Sequence, residues 1–353
     1  MQSLGPLLRW FSQRCWSEQA RAQIADLAQH ADAELRQSAT RGMDCYLECH
    51  GNGSQRIDLV LISHLSSSLA GESLEPWRQT LASLQSCNRL PINGDDIKVV
   101  LEYDNVPGKP LNLAGTAISG EQLEASGQGN YKRFEAEWCR LRQHQDAHAK
   151  AQTNRLSEVT KRLGVPLFVG LMVGRGNAIK VLVDINDANR KALAELLAEH
   201  LNNSKQVGSI LEATKGWDAG CRAVASLDID GAGELGQRVC VELFLNDVEP
   251  EHRRTIFERV GVANTESLQP REAPWSWRDV VSGWPQGTRW QQGDLSGIFY
   301  ADLSSIKLMT EPRETTQLKF YFRLHARITT EEKADRDARL GAKTAPAKTI
   351  KKT

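Results

Sequence analysis

Along this chain, stretches of strict apolar–polar alternation come in pairs, and helical spacing fills the intervals between the pairs. The clearest pair is Asp44–Cys49, DCYLEC, followed by Arg56–Ser63, RIDLVLIS. The polar run His50-Gly51-Asn52-Gly53-Ser54 between them predicts a hairpin turn. A strand sends successive side chains to opposite faces, so Asp44, Tyr46 and Glu48 share one side and Cys45, Leu47 and Cys49 the other. Arg56 and Asp58 stand likewise opposite Ile57, Leu59 and Leu61.

Further strands are predicted at Ile97–Asp104, more weakly at Leu111–Ile118, and at Leu167–Val173 and Ala178–Ile185, the last two turned by Gly174-Arg175-Gly176-Asn177. Arg222–Asp230 and Arg238–Asn246 form another pair around Gly231–Gly236, and Gly297–Ser304 and Leu318–Arg327 the last. Helical spacing covers residues 17–38, Glu75–Gln85 with Pro76 just inside its start, 131–163, 188–201 and 249–260. The 131–163 pattern is very polar around Arg140–Thr153, and Asn186 or Asp187 can cap the 188–201 helix. A loop rich in tryptophan carries Trp275, Trp277, Trp284 and Trp290. Residues 1–328 read as one domain, and 329–353, rich in Ala, Lys and Thr, as a disordered tail.

One unit therefore recurs five times: a helix, then two antiparallel strands. Such a series predicts an α+β fold, either a sandwich or a closed antiparallel barrel of about ten strands ringed by helices. One face of the strands is aliphatic, as in Ile179, Val181 and Val183 or Leu318, Phe320 and Phe322, and must meet the helices. The other carries Lys180, Glu242, Lys319, Tyr321, Arg323 and His325. Over an open sheet that face meets bulk water; in a barrel it lines a wet lumen able to hold a charged ligand.

Composition narrows the class. Forty-four basic residues balance forty-four acidic ones, so the chain lacks the basic field of a general nucleic-acid binder. The seven cysteines are odd in number and scattered, and Cys45 and Cys49 alternate with apolar neighbours as buried hydrophobes do. No apolar run approaches a membrane span, and the start has no signal-peptide pattern, so a soluble cytoplasmic protein is expected.

The run Cys45-Tyr46-Leu47-Glu48, followed by Arg56-Ile57-Asp58, resembles the first hairpin of the cyanobactin-type peptide prenyltransferases. Those proteins have the ABBA fold, a barrel of αββα repeats, and the five-unit layout covers residues 17–328. The resemblance implies that Glu48 orients or deprotonates the acceptor and that Arg56 binds diphosphate. Lys180 matches the family's mid-barrel lysine, and Lys319 or Arg323 its basic residue near the last strand. The long polar helix, the Trp-rich loop and the basic tail depart from the family.

What the resemblance implies is transfer of a prenyl group from dimethylallyl or geranyl diphosphate to a side chain of a ribosomally made, cyclic peptide. Loss of diphosphate leaves positive charge on the prenyl carbon. Arg56, Lys180, Lys319 and Arg323 would neutralise the leaving group. Tyr46, Tyr300 and Tyr321 share their strand parity and would shield the cation with ring faces. Asp58, Glu102, Glu242 and His325 complete the candidate acceptor pocket. Asp95-Asp96 is followed by Ile97-Lys98-Val99, so no Asp-Asp-x-x-Asp metal box exists there; magnesium is expected to arrive with the diphosphate. Gly174-x-Gly176 and Gly231-x-Gly233 join strands and read as hairpin turns, and His144 and His148 as a solvated helix face. Two alternatives stand beside this reading: a small-molecule aromatic prenyltransferase on the same barrel, and a non-catalytic peptide-binding scaffold.

Overall fold

The alternation around Glu48 becomes β1 (Asp44–His50) and β2 (Ile57–His64), paired antiparallel with Leu47 opposite Leu59 and Glu48 opposite Asp58. The computed structural model describes residues 5–13, 18–35, 44–50, 56–66, 71–87, 90, 92–106, 108–146, 149–200, 211, 221–246, 248–249, 252–253, 255–256, 284–292, 295–310 and 317–329. The strands that follow are β3 (Lys98–Asp104), β4 (Asn112–Ser119), β5 (Phe168–Met172), β6 (Ala178–Asp184), β7 (Arg222–Ile229), β8 (Val239–Phe244), β9 (Trp284–Gln292), β10 (Leu295–Thr310) and β11 (Gln317–Thr329). From β1 to β8 each pairs antiparallel with the next; β8 then pairs with β10, β10 with β11, and β11 with β1. Ten strands thus close a barrel, and the open-sheet and sandwich alternatives fall away.

The ninth strand lies outside the ring. β10 gives one edge to β11 along nearly its whole length and divides the other, Ser305–Thr310 pairing with β8 and Leu295–Ala301 with β9. Sequence reasoning places a loop here, whereas Trp284 and Trp290 stand on β9. Its segment WPQGTRWQQ contains Pro285 and Gly287, which suit an edge ribbon and argue against a central strand. Trp275 and Trp277 lie outside the described residues, as do most of the expected 249–260 helix and everything beyond residue 329.

Helices α2 (Glu18–Leu35), α3 (Glu75–Ser86), α4 (Gly120–Ala125), α5 (Asn130–Gln145), α6 (Ala149–Leu163) and α7 (Arg190–His200) fall between the hairpins. A preceding helix, α1 (Gly5–Ser12), has no counterpart in the sequence reading; at eight residues it is too short for periodicity to show, yet Leu7, Leu8, Trp10 and Phe11 are all buried. Phe11 meets Phe322 of β11 with ring centroids 5.7 Å apart. Among the described residues no helix is long and apolar enough to cross a membrane.

The single helix expected over 131–163 is two. Asp146 takes an extended backbone (φ −143°, ψ 112°) and ends α5, and α6 returns antiparallel. Arg142 and Gln143 donate to Gln152 and Thr153, while Ser157 and Thr160 donate to Glu135. The very polar run around Arg140–Thr153 is the bend and part of the facing surfaces of a helical hairpin. The core lies between helices and barrel wall, where Cys45, Leu47, Ile57, Leu59, Val99 and Leu101 are fully or almost fully buried. Trp77 of α3 stacks on Trp138 of α5 and donates to Thr116 of β4 at 2.9 Å.

Candidate active site

Parity on the strands decides what the lumen holds. With Cys45, Leu47 and Cys49 turned to the helices, Tyr46, Glu48 and His50 face inward, and register carries that choice around the ring. Ala117, Gly170, Lys180 and Asp228 form one inward row across β4 to β7. The small residues at 117 and 170 leave room for the long Lys180 side chain beside them. Glu242, Lys307 and Lys319 form another row across β8, β10 and β11.

Charged groups meet inside. Glu48, 6% exposed, accepts hydrogen bonds from Lys319 and from the Tyr321 hydroxyl, and His50 Nε2 lies 3.4 Å from its Oε1. Burial works to raise the Glu48 pKa, but Lys319 and His50 outweigh it and hold the carboxyl well below the usual range. Lys180 donates to Glu102, and burial of that carboxyl is likewise outweighed by Lys180 and Lys307. Arg238 donates to Asp228 at 3.0 Å. At one end Asp104 is shared by Arg56 and Arg175, each 2.6 Å from Oδ1, while Arg56 Nε also donates to Asp58 at 2.9 Å.

Lys307 differs from these cations. The residue is 5% exposed, and among the described residues it makes no ion pair and no hydrogen bond. Burial works to lower its pKa, yet Cys240, Glu48, Glu242 and Glu102 around it raise the value above that of an ordinary lysine. Its Nζ lies 6.0 Å from the centroid of the Tyr321 ring. A charged ammonium held inside a barrel without an ion pair among the described residues can take an anionic partner.

The lumen has two compartments. A polar one is lined by Glu48, Arg175, Asp228, Arg238 and Lys319. An apolar one, about 650 Å³ counting its open mouth, is lined by Tyr46, Val60, Ile62, Phe168, Leu182 and Phe244. Glu102, Lys180 and Lys307 line both and mark the junction. A polyanionic head with an apolar tail fits such a division.

No family model matches the sequence, and no curated protein matches it. Solved structures do. The prenyltransferase NotF aligns with TM-score 0.54 at 11% identity, covering 90% of this chain and 92% of its own. The apo form of the prenyltransferase PriB aligns with TM-score 0.52 at 11% identity, covering 90% and 93%. AnaPT from Neosartorya fischeri aligns with TM-score 0.52 at 9% identity, covering 91% and 92%. The fold is that of an ABBA prenyltransferase.

Within the barrel the residues singled out from the sequence separate into groups. Glu48, Lys180, Lys319, Tyr46, Tyr321, Glu102 and Glu242 line the lumen together. Arg56 lines neither compartment: it sits just before β2 with its side chain 40% exposed and tied to Asp58 and Asp104. Asp58 is buried beside it, taking the Asn105 N–H at 3.0 Å. Arg323 pairs with Asp44 at 3.0 Å, four residues along β11 from Lys319 and thus about 13 Å away at strand rise. Tyr300 and His325 are register partners on β10 and β11, and their side chains lie outside the described residues. His144 is exposed, as expected of a solvated face, and His148 lies outside the described residues.

Sequence reasoning missed Lys307 and Arg175 as site residues, and it took His50 as a turn bystander, whereas its Nε2 lies 3.4 Å from both Glu48 and Asp58. The signal for Lys307 was present in the alternation Ile306-Lys307-Leu308-Met309, but the expected strand stopped at Ser304. A register shift between Leu303 and Ser305 changes the parity there, and the strand runs on to Thr310. Arg175 sits in the β5–β6 turn, where Gly176 (φ +70°) and Asn177 (φ 56°) give a tight reversal; the turn reading holds, and its arginine reaches the lumen.

Magnesium finds a poor protein site here. Glu48, His50 and Asp58 place three donor atoms within 4.8 Å of one another. Magnesium prefers oxygen ligands, and Lys319 and Arg56 already hold these carboxylates. The cations present suit an anionic ligand directly.

Proposed function

We propose that this protein is a prenyltransferase that moves a prenyl group from an allylic diphosphate to a nucleophilic side chain, with residues 1–328 as its single catalytic domain. The observation that carries this reading is Lys307, buried in the lumen without an ion pair among the described residues, at the junction of a cationic and an apolar compartment. Diphosphate would sit among Lys180, Lys307, Lys319, Arg175 and Arg238, and the prenyl tail would extend along Val60, Ile62 and Leu182. As the C–O bond breaks, these cations stabilise the departing diphosphate. The rings of Tyr46 and Tyr321, both lining the apolar compartment, face the allylic cation and screen it from water. Glu48 holds Lys319 and Tyr321 in place, and one of the lumen carboxylates, Glu48, Glu102 or Glu242, takes the proton lost by the acceptor.

For the acceptor we propose a tryptophan, tyrosine or arginine side chain of a ribosomally made cyclic peptide, on the strength of the β1–β2 motif Cys45-Tyr46-Leu47-Glu48 and Arg56-Ile57-Asp58. A second reading, a small aromatic acceptor, is favoured by the match to NotF in complex with brevianamide F and DMSPP, with TM-score 0.52 at 12% identity. Incubation with dimethylallyl or geranyl diphosphate, in buffer with EDTA, and with cyclic peptides, L-tryptophan and brevianamide F separates the two. Mass gain on a peptide supports the first reading, and mass gain confined to the small acceptors supports the second. A protein that binds no allylic diphosphate and prenylates nothing would overturn both.

A further inference from the structure

Three carboxylates face the junction, and their bonding differs. Glu48 has both oxygens engaged, Oε1 by Lys319 and Oε2 by Tyr321. Glu102 is engaged at Oε1 by Lys180, with Arg175 Nη1 3.8 Å from Oε2. Glu242, 8% exposed on β8, accepts a single hydrogen bond among the described residues, from Ser305 at 2.5 Å to Oε1. Among the described residues its Oε2 has no hydrogen-bond or ion-pair partner, and the side chain lines the apolar compartment with Phe244, Phe168 and Tyr46.

Resting on the reading above, we propose that Glu242 is the catalytic base: its Oε2 accepts the hydrogen bond of the acceptor's N–H or O–H and takes that proton as the prenyl group adds. The bond formed joins the acceptor to the prenyl carbon. The bond broken is the C–O bond of the allylic diphosphate, whose electron pair leaves with diphosphate onto Lys307 and its neighbours. The proton ends on Glu242. A carboxylate already holding a lysine and a tyrosine would have to give up one of them to do the same, and the apolar compartment is lined by Glu242 and not by Glu48. Burial lifts the Glu242 pKa above the usual carboxylate range, with Lys307 and the Ser305 hydrogen bond only partly offsetting it. That is the direction in which a base operating near neutrality must move.

The test compares Glu242→Gln, Glu48→Gln and the wild type in two measurements. The first is calorimetric binding of dimethylallyl thiolodiphosphate; the second is transfer from dimethylallyl diphosphate to a tryptophan-containing cyclic peptide and to brevianamide F. Glu242→Gln keeps side-chain shape and the Ser305 contact, so it should bind the thiolodiphosphate within about threefold of wild type. Its transfer should fall by about a hundredfold or more, the usual scale of general-base loss. Glu242→Asp, which retains a carboxylate, should recover part of the rate. Near wild-type transfer by Glu242→Gln with collapse in Glu48→Gln would overturn the assignment while leaving the prenyltransferase reading intact. Failure of the wild type to bind the thiolodiphosphate would instead remove that reading, and this one with it.

Discussion

Glu48 and Tyr321 are register partners across the seam where the first strand meets the last, and the Tyr321 hydroxyl donates its hydrogen bond to the Glu48 carboxylate. One contact therefore ties β1 to β11 and holds the Tyr321 ring at the apolar compartment, where Lys307 Nζ lies 6.0 Å from the ring centroid. Replacing Tyr321 with Phe keeps the ring and removes the donor, leaving a buried charged oxygen unpaired. We expect a loss of about 1–3 kcal/mol in unfolding free energy, read from urea titration with an unchanged slope. Wild-type stability in that variant would show that the seam does not depend on this bond.

Lys307→Gln addresses the anion site. Losing a charge-assisted contact in a buried site costs about 1.5–3 kcal/mol, so affinity for dimethylallyl thiolodiphosphate should drop roughly tenfold to a hundredfold by calorimetry. Arg56→Ala is the control: its side chain is 40% exposed outside both compartments and bound to Asp58 and Asp104, so affinity should change less than about threefold. A larger effect at Arg56 than at Lys307 would move the anion site out of the lumen.

Acid should undo the stabilisation that Glu48 supplies. Its folded pKa is depressed below the unfolded value of about 4.3, so its contribution is complete at neutral pH and is lost as pH falls through the folded value. The stability difference between wild type and Glu48→Gln, measured by urea titration from pH 7 to pH 3, should therefore shrink towards the acid end. His50 runs the other way. Hydrogen bonds to Asp58 and Glu48 overcome burial and raise its pKa, so its contribution is complete below about 6.5 and fades as pH rises through the folded value.

Glu242 carries the opposite sign from Glu48. Its folded pKa is raised, so the native state binds the proton more tightly than the unfolded chain, and stability is lost as pH rises from the unfolded value through the folded one. Glu242→Gln removes that penalty. We expect the variant to be at least as stable as wild type at pH 7, with the advantage vanishing near pH 4, while transfer is lost. Destabilisation at pH 7 would indicate that the carboxylate is needed for packing, a result thermal or urea unfolding would show directly.

Several features follow from the amino-acid order alone. Alternation with a period of two is a local property, and it put Glu48, Lys180, Glu242 and Lys319 on polar faces opposite aliphatic ones. Pairing of adjacent strands through short turns is equally local, which made the five hairpins legible. Closure is not local. Whether a polar face meets water or a lumen depends on β11 finding β1 at the other end of the chain and on β10 finding β8 about sixty residues back, contacts that no periodicity encodes. The same long-range pairing decided which charges became partners. It engaged both oxygens of Glu48 and left Lys307 unpaired among the described residues. It also set Arg56 outside the compartments that Arg175 enters from a turn. Residue types and faces were thus fixed by sequence, because steric alternation acts over two residues; the division of roles among like charges was set by tertiary structure, because electrostatic partnership depends on distance in space.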